Sequence, residues 1–337
     1  MSQLYQPAWG EDSVLPGFEA ATIRFPDDYD GPVYATLVRR PAARPSRRAV
    51  LYVHGFTDYF FQTHLADAFN ERGYNFYALD LRKYGRSLHG AAHPNYCNDV
   101  REYFSEISAA LRIIGENDGN QWILLSGHST GGLTSALYAD SGAERHRIDA
   151  LALNSPFFAF NLDGRTLAAL KTLAGVALAF PFARLKGRRP VPYVQSIHAD
   201  HRGEWTFDLQ WRPLTGFPLY AGWVRAILRA HARVRRGLAI ACPVLVLHAS
   251  ASARGAEWNE TFQAGDGVLD VDHIREGSRH LGPNVTMAQI DDGLHDLALS
   301  RSDVRERFFA TLFEWLDTLP QPIAAGADAS LVAEEVA

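Results

Sequence analysis

The chain has 337 residues, 47% of them apolar and 21% charged, with a formal net charge of −5. This is ordinary globular composition, enough for one large α/β domain or two medium ones, and its acidic balance argues against nucleic acid as a partner. Its two cysteines, Cys97 and Cys242, are too few for a disulfide framework and lack the spacing of a zinc or redox site.

In chain order, Phe18–Phe25 and Val33–Val38 read as two antiparallel strands joined through Pro26–Pro32. Ala49–Val53, Phe76–Leu79, Trp122–Leu125 and Ala150–Leu153 are apolar runs bounded by polar or turn residues and too short for helices. Between them lie the predicted helices Gln62–Glu71, Asp99–Ile114 and Thr130–Ala139, each ending near a glycine (Gly73, Gly115, Gly142). Strand alternating with helix predicts a parallel sheet with helices on both faces. After Pro156 the alternation stops, and to about Ala241 the chain is rich in helix formers and aromatics with no clear strand. It resumes with Pro243–His248 and Asn284–Ile290, then a final helix, Asp303–Thr318. The expected organisation is an α/β core (1–156 and 241–320) interrupted by an inserted helical cap (157–240). Residues 321–337, small and acidic, are expected to form a frayed tail. The opening residues lack the basic and apolar regions of a signal peptide, and no run reaches the ~20 apolar residues of a membrane span. A soluble, cytoplasmic protein is therefore expected.

Gly127-His128-Ser129-Thr130-Gly131 fits G-x-S-x-G. About one chain in ten of this length matches by chance at average glycine and serine usage, so the context must decide. The motif follows a buried run and opens a helix, the strand–turn–helix setting it requires. A side chain at 127 or 131 would collide with neighbouring backbone in so tight a turn. Ser129 is expected to be strained at the carboxyl edge of the sheet, before a helix N-terminus that favours developing negative charge. The plain alternative is an N-cap serine at a glycine-rich helix start.

On these residues the chain resembles the α/β-hydrolases over nearly its whole length, and most closely the monoacylglycerol lipase and serine aminopeptidase-like branch. The branch's His-Gly turn stands here as His54-Gly55-Phe56. The resemblance implies that the backbone amides of Phe56 and Thr130 form an oxyanion hole; removing one such donor typically costs ~10²–10³ in rate. Asp80–Ser87 resembles the family's D-x-R-G-x-G-x-S, with Lys83 where the first glycine is usual. The role implied is structural, with Asp80 and Arg82 fixing loops behind the nucleophile. Of 13 histidines, the resemblance selects His295, just after the predicted strand Val285–Ile290, in the chain order Ser, Asp, His. An imidazole titrating near 6.5 suits the shuttling of the Ser129 proton. His248 is the alternative base; His128 is expected to point away and to pack or hydrogen-bond locally, and His54 to order the oxyanion loop. The resemblance places the acid shortly after Pro243–His248, where Ala249–Arg254 offers no carboxylate. Asp266 fits if about fifteen residues are inserted, with Asp270 and then Asp272 as alternatives, and helix capping near Asp270 accounts for some of the three.

In the insert, the mostly apolar stretch Thr166–Phe182 and nearby aromatics suit a lid over an apolar substrate, or plain packing. Tyr59, Phe60 and Phe157 are expected to line the substrate site. A helix from about Ala221 to Arg236 carries Arg225, Arg229, Arg233 and Arg236 along one face, suited to an anionic membrane surface, an acidic substrate or solvent. The reading is a serine hydrolase of carboxylic esters with an apolar acyl or alkyl group, monoglyceride- or lysophospholipid-like. It would act through an acyl-enzyme on Ser129 without metal or organic cofactor, with transient membrane-surface contact through the cap. The alternatives are an aminopeptidase or amidase, for which Glu204 or Asp208 would hold the free amine, an acyltransferase on the same triad, or a non-catalytic binding protein.

Overall fold

A computed structural model describes residues 7–90, 93–185 and 192–322. The frayed tail expected from the sequence lies, from 323 onward, outside the described residues. The chain opens with β1 (Gly10–Glu11) and the antiparallel pair β2 (Glu19–Asp28) and β3 (Gly31–Arg40). There follow β4 (Arg48–Val53), α1 (Thr63–Glu71), β5 (Asn75–Asp80), α2 (Phe104–Arg112), β6 (Trp122–His128), α3 (Thr130–Ser141) and β7 (Ala150–Asn154). The segment inserted next holds α4 (Gly164–Val176), β8 (Arg184–Leu185), α5 (Pro192–Ile197), β9 (Leu219–Tyr220) and α6 (Ala221–Arg235). The chain then returns with β10 (Val244–Ala249), α7 (Val271–Ser278), β11 (Val285–Ile290) and α8 (Ser302–Asp317).

One nine-stranded sheet runs in the order β1-β2-β3-β5-β4-β6-β7-β10-β11. The pairings from β5 through β11 are parallel, and those from β1 through β5 antiparallel. Side chains two apart share a face of a strand, and the central strands are apolar on both. Leu51, Leu125 and Val246 pack with Leu111, Leu133 and Ile227 on the face covered by α2, α3 and α6. Val50, Leu124 and Leu245 point the other way, onto Leu65 and Phe69 of α1 and Phe308 and Leu312 of α8. A third buried cluster joins Tyr193, Ile197 and Phe207 of the insert to Tyr59, Phe61, Leu294 and Leu299.

The sequence reading placed no strand in the insert. The structure has a ribbon there, β8 with β9, only two residues a side and too short to leave an alternating pattern. The helix expected over Asp99–Ile114 begins as a 3₁₀ turn, Val100–Tyr103, capped by the Asp99 carboxylate, and ends in a π turn, Ile113–Asn117. No helix among the described residues is long and apolar enough to cross a membrane.

Thr57, Lys83, Ser129, Ser155 and Asp292 all have φ between 46° and 65°, the left-handed region that non-glycine residues avoid. Each lies just beyond the carboxyl end of a parallel strand, β4, β5, β6, β7 and β11 respectively. In open α/β sheets that edge is where ligands bind.

Candidate active site

Ser129 is the single residue between β6 and α3, with φ 53° and ψ −116°. The turn is held from three sides: the Ser129 amide donates to the Asn154 carbonyl (3.0 Å), and the Ser129 carbonyl accepts from Leu133 and Phe157 (both 3.0 Å). A Cβ at Gly131 would stand 2.3 Å from the carbonyl oxygens of both Val53 and His54, and one at Gly127 2.7 Å from that of Gly131. The motif's glycines are therefore a steric requirement, Gly131 of the end of β4 passing close beneath the turn and Gly127 of the first turn of α3.

The bend aims the Ser129 hydroxyl at His295, whose Nε2 lies 2.9 Å from Ser129 Oγ. His295 Nδ1 lies 2.9 Å from Asp266 Oδ2. A carboxylate only accepts, so Nδ1 carries the proton and Nε2 is left to accept from the hydroxyl. All three side chains are buried; Ser129 is 7% exposed and Asp266 0%.

Asp266 reaches the histidine because residues 254–265 loop out and the chain then returns to the end of β10. The Asp266 amide donates to Ala251 O, and Asp266 O accepts from Ala253 (both 2.8 Å). Its other carboxylate oxygen accepts the amides of Val268 (2.8 Å) and Leu269 (2.7 Å), which fixes the rotamer. The alternatives are occupied elsewhere. Asp270 caps α7 through the Asp272 amide (3.0 Å) and pairs with Arg254 (2.7 Å), and Asp272 pairs with Arg275 (2.9 Å). His248 is turned to its own strand end, Nδ1 donating to Ala249 O (2.7 Å), and burial lowers its pKa.

The amides of Phe56 and Thr130 donate to no acceptor among the described residues. His54 orders the turn before Phe56: Nδ1 donates to Gly55 O (2.8 Å) and Nε2 accepts the Leu81 amide (3.1 Å), a neutral tautomer fixed from both sides. His128 packs locally. It is buried beside Ser129, its ring centroid 4.9 Å from that of His295 and its Nδ1 3.5 Å from Asp58 Oδ2. Burial pulls its pKa down, but the fields of Asp296 and Asp58 outweigh it and leave the imidazole raised. Asp58 in turn receives Arg212 of the insert at 2.5 Å. Burial alone would raise the Asp58 carboxyl, yet Arg212, with His128 behind it, holds it at about 2. Sequence reasoning missed Arg212, Asp296 and Tyr193. Asp296, next to the histidine, accepts from Asn154 (2.8 Å), the Ala298 amide (3.1 Å) and Gln62 (3.1 Å), while its own amide donates to Tyr193 Oη (3.1 Å). Chain adjacency to His295 was the one available signal, and it pointed only to Asp296.

Of the residues expected to line a substrate site, Tyr59 is buried against Trp211, its hydroxyl accepting the Asp208 amide (2.8 Å). Phe157 lies beside Ser129, its amide donating to Ser129 O (3.0 Å) and its ring 4.8 Å from that of His231. Phe60 turns the other way. Asp80 accepts its amide (3.0 Å), and the ring packs with Phe18, Tyr52 and Phe76 beneath the sheet, so it is a core residue and not part of the site's mouth. Asp80 also binds Arg86 (2.9 Å), which Asp12 grips with both oxygens (2.9 and 2.7 Å). Arg82 pairs with buried Glu106. Lys83, at φ 65° where a glycine is usual, is compensated by Asp28 (3.0 Å) and Asp30 (3.3 Å) of the β2–β3 turn. On α6, Arg229 pairs with Asp99 (3.4 Å) and Arg233 with Asp140 (2.8 Å), so part of the basic face is neutralised within the chain.

The family described as serine aminopeptidase, S33, matches residues 44–253. No protein of curated function matches the sequence. Among solved structures, a soluble variant of monoglyceride lipase from Saccharomyces cerevisiae aligns with 88% of this chain and 96% of its own at 17% identity and a TM-score of 0.61. A monoacylglycerol lipase from Paleococcus ferrophilus aligns with 84% and 98% at 19% identity and a TM-score of 0.60. A thermostable carboxyl esterase from Bacillus coagulans aligns with 89% and 98% at 13% identity and a TM-score of 0.63. At these identities the solved structures speak for the fold, and the match across most of the chain speaks for the family. With its sheet, its helices on both faces and its sharp β6–α3 turn, this chain belongs to the serine aminopeptidase family of the α/β-hydrolase fold.

Proposed function

We propose that the protein is a serine esterase for carboxylic esters carrying an apolar acyl or alkyl group, of monoglyceride or lysophospholipid type. The observation that carries this reading is the continuous relay Ser129 Oγ to His295 Nε2 to Asp266, at 2.9 Å and 2.9 Å, beside two amides with no acceptor among the described residues. Ser129 Oγ attacks the ester carbonyl while His295 takes its proton, and Asp266 stabilises the imidazolium. The amides of Phe56 and Thr130 receive the oxyanion, where fixed donors need no reorganisation. His295 returns the proton to the leaving alcohol, and water then releases the acid by the same steps.

Apolar surroundings support the substrate class. Tyr193 packs against His295, Phe157 follows the Ser129 turn, the Phe56 ring lies against Trp223, and the insert exposes Leu178 and Phe180, 73% and 64% accessible. We take residues 157–240 as a cap that moves to admit substrate and rests on a lipid surface through these side chains. An amine-binding reading lacks its carboxylate: Glu204 is exposed and pairs with Arg305 (3.5 Å), and Asp208 is exposed and accepts the Gln210 amide (2.6 Å). Asp58 is already neutralised by Arg212.

Purified protein should release p-nitrophenol from butyrate, octanoate and dodecanoate esters, and Ser129→Ala should not. No release from any ester, combined with cleavage of aminoacyl-p-nitroanilides, would replace the reading with a peptidase; no turnover at all, with a ligand-dependent melting shift, would leave a binding protein.

A further inference from the structure

The loop that carries the Phe56 amide is held in shape by residues far away in the chain. Thr57 sits at φ 52°, a conformation that persists only when the surroundings impose it. Three consecutive loop residues are gripped by one stretch of the insert. Thr57 Oγ1 accepts the Phe217 amide (3.3 Å), Asp58 binds Arg212 (2.5 Å), and the Tyr59 hydroxyl accepts the Asp208 amide (2.8 Å). Of the three contacts only the middle one is an ion pair, and it is sealed from water, Arg212 being 4% exposed and Asp58 2%. The guanidinium is itself wedged between the rings of Phe61 and Phe207, 5.3 and 5.0 Å from their centroids. Asp58 faces His128, whose two ring nitrogens have no hydrogen-bond partner among the described residues, and His128 adjoins both Ser129 and His295. A Cβ placed on Gly55 would lie 3.2 Å from His128 Nδ1 and 3.2 Å from Ser129 Cβ, so the loop, this imidazole and the nucleophile are in van der Waals register.

We propose that Arg212 is a positioning residue: by holding Asp58 it fixes the Phe56 amide, so the oxyanion hole is complete only while the inserted segment is seated. Phe56 is two residues from Asp58, and a loop that relaxes at Thr57 rotates the peptide that must meet the oxyanion. A 1 Å misplacement at such a donor can cost ~10²-fold in rate. Opening of the insert would then both admit substrate and slacken the hole, and its closure over an ester would restore it. The same closure seats Tyr193 against His295, ring centroids 5.5 Å apart. This inference rests on the esterase reading above.

Removing Arg212 alone leaves a buried carboxylate unpaired and endangers the fold, so the test uses two other changes. Asp58→Asn/Arg212→Met removes both charges together, and Arg212→Lys keeps the charge but loses the planar fork. Each is assayed with p-nitrophenyl butyrate per titrated Ser129, and for inhibition by a trifluoromethyl ketone that forms a tetrahedral adduct. We expect kcat to fall at least tenfold in the double variant with KM changed less than twofold. Ketone affinity should weaken by the same factor as kcat, with Arg212→Lys intermediate in both. A merely structural pair would lower the melting temperature or the titrated fraction without changing kcat per titrated site. Values of kcat and ketone affinity within twofold of wild type, in whichever variants fold, would overturn the proposal. A wild-type protein that forms no ketone adduct would instead sink the esterase reading itself.

Discussion

Asp266→Asn tests the acid proposed for the relay, because the loop around it dictates how the new amide must sit. One carboxylate oxygen receives two backbone amides, from Val268 and Leu269 at 2.8 and 2.7 Å, and the other receives His295 Nδ1 at 2.9 Å. An asparagine there has one oxygen and one NH₂ group. The oxygen must face the two backbone donors, since the reverse placement leaves both buried amides against a donor, costing about 1–3 kcal/mol for each. The NH₂ group is therefore turned to His295, whose Nδ1 must accept and whose proton must move to Nε2. That nitrogen then points an N–H at Ser129 Oγ and can no longer take its proton. In serine proteases the equivalent wrong tautomer lowers kcat about 10⁴-fold, about 5 kcal/mol of barrier. Asp270→Asn should stay within a few-fold of wild type, because Asp270 caps the start of α7 and pairs with Arg254. The assay is steady-state hydrolysis of p-nitrophenyl butyrate, with melting temperatures for both variants. A drop in Asp270→Asn with Asp266→Asn inside tenfold of wild type would refute this tautomer argument.

Other perturbations test the surrounding scaffold. Ser129→Ala should lose all labelling by a fluorophosphonate probe at an unchanged melting temperature, whereas Ser129→Gly, which relieves φ 53°, should melt higher; label persisting on either moves the nucleophile elsewhere. Gly131→Ala drives a Cβ to 2.3 Å from two backbone carbonyls and should destabilise by about 3 kcal/mol, the upper range for overpacking; a urea midpoint equal to wild type contradicts the packing described. His231, whose Nε2 donates to Phe157 O (2.9 Å), has its pKa lowered to about 3, chiefly by burial. The unfolded chain binds that proton near 6.5 and the folded one does not, so acidification from 6.5 toward 3 costs stability, about 1.4 kcal/mol per pH unit. His231→Gln should flatten that slope between pH 6.5 and 5, read from urea midpoints; parallel slopes would reject the assignment.

The parts of the site that a sequence can announce are those the backbone dictates. Gly127 and Gly131 are legible because no side chain fits beside Val53, His54 and Gly131 O, and His295 because it follows the last strand after a turn at Asp292 and Gly293. The acid has no such constraint. A carboxylate need only be delivered beside the imidazole, and the loop that delivers it here runs from 254 to 265 at little cost in closure entropy. Phe60 was misplaced for a related reason. Loop aromatics carry no periodicity, and it is Asp80, twenty residues on, that takes the Phe60 amide and turns the ring under the sheet. The contact between Asp58 and Arg212 spans 154 positions, and nothing local in either stretch marks it. The mostly parallel sheet was readable because every central strand alternates between two apolar faces; the two-residue ribbon β8–β9 has no room to alternate.

The distribution of strain explains why these buried charges gather where they do. Left-handed non-glycine residues cost of order 1 kcal/mol each, and five of them stand at one edge of the sheet, after β4, β5, β6, β7 and β11. Glycine would remove the cost but would also free the loops that carry Ser129 and the Phe56 and Thr130 amides. The chain instead keeps side chains there and anchors the strained loops from outside. Lys83 is held by Asp28 and Asp30, Thr57 and Asp58 by Phe217 and Arg212, and Asp292 by Arg301 (2.8 Å). The anchors of Lys83 and Asp58 are ion pairs with partners from distant segments, so the loops after β5 and β4 hold their shape only when another part of the fold is in place. Strain set against long-range charge thus makes the geometry around Ser129 a property of the assembled molecule, and it makes the inserted segment, through Arg212, one of the parts on which that geometry depends.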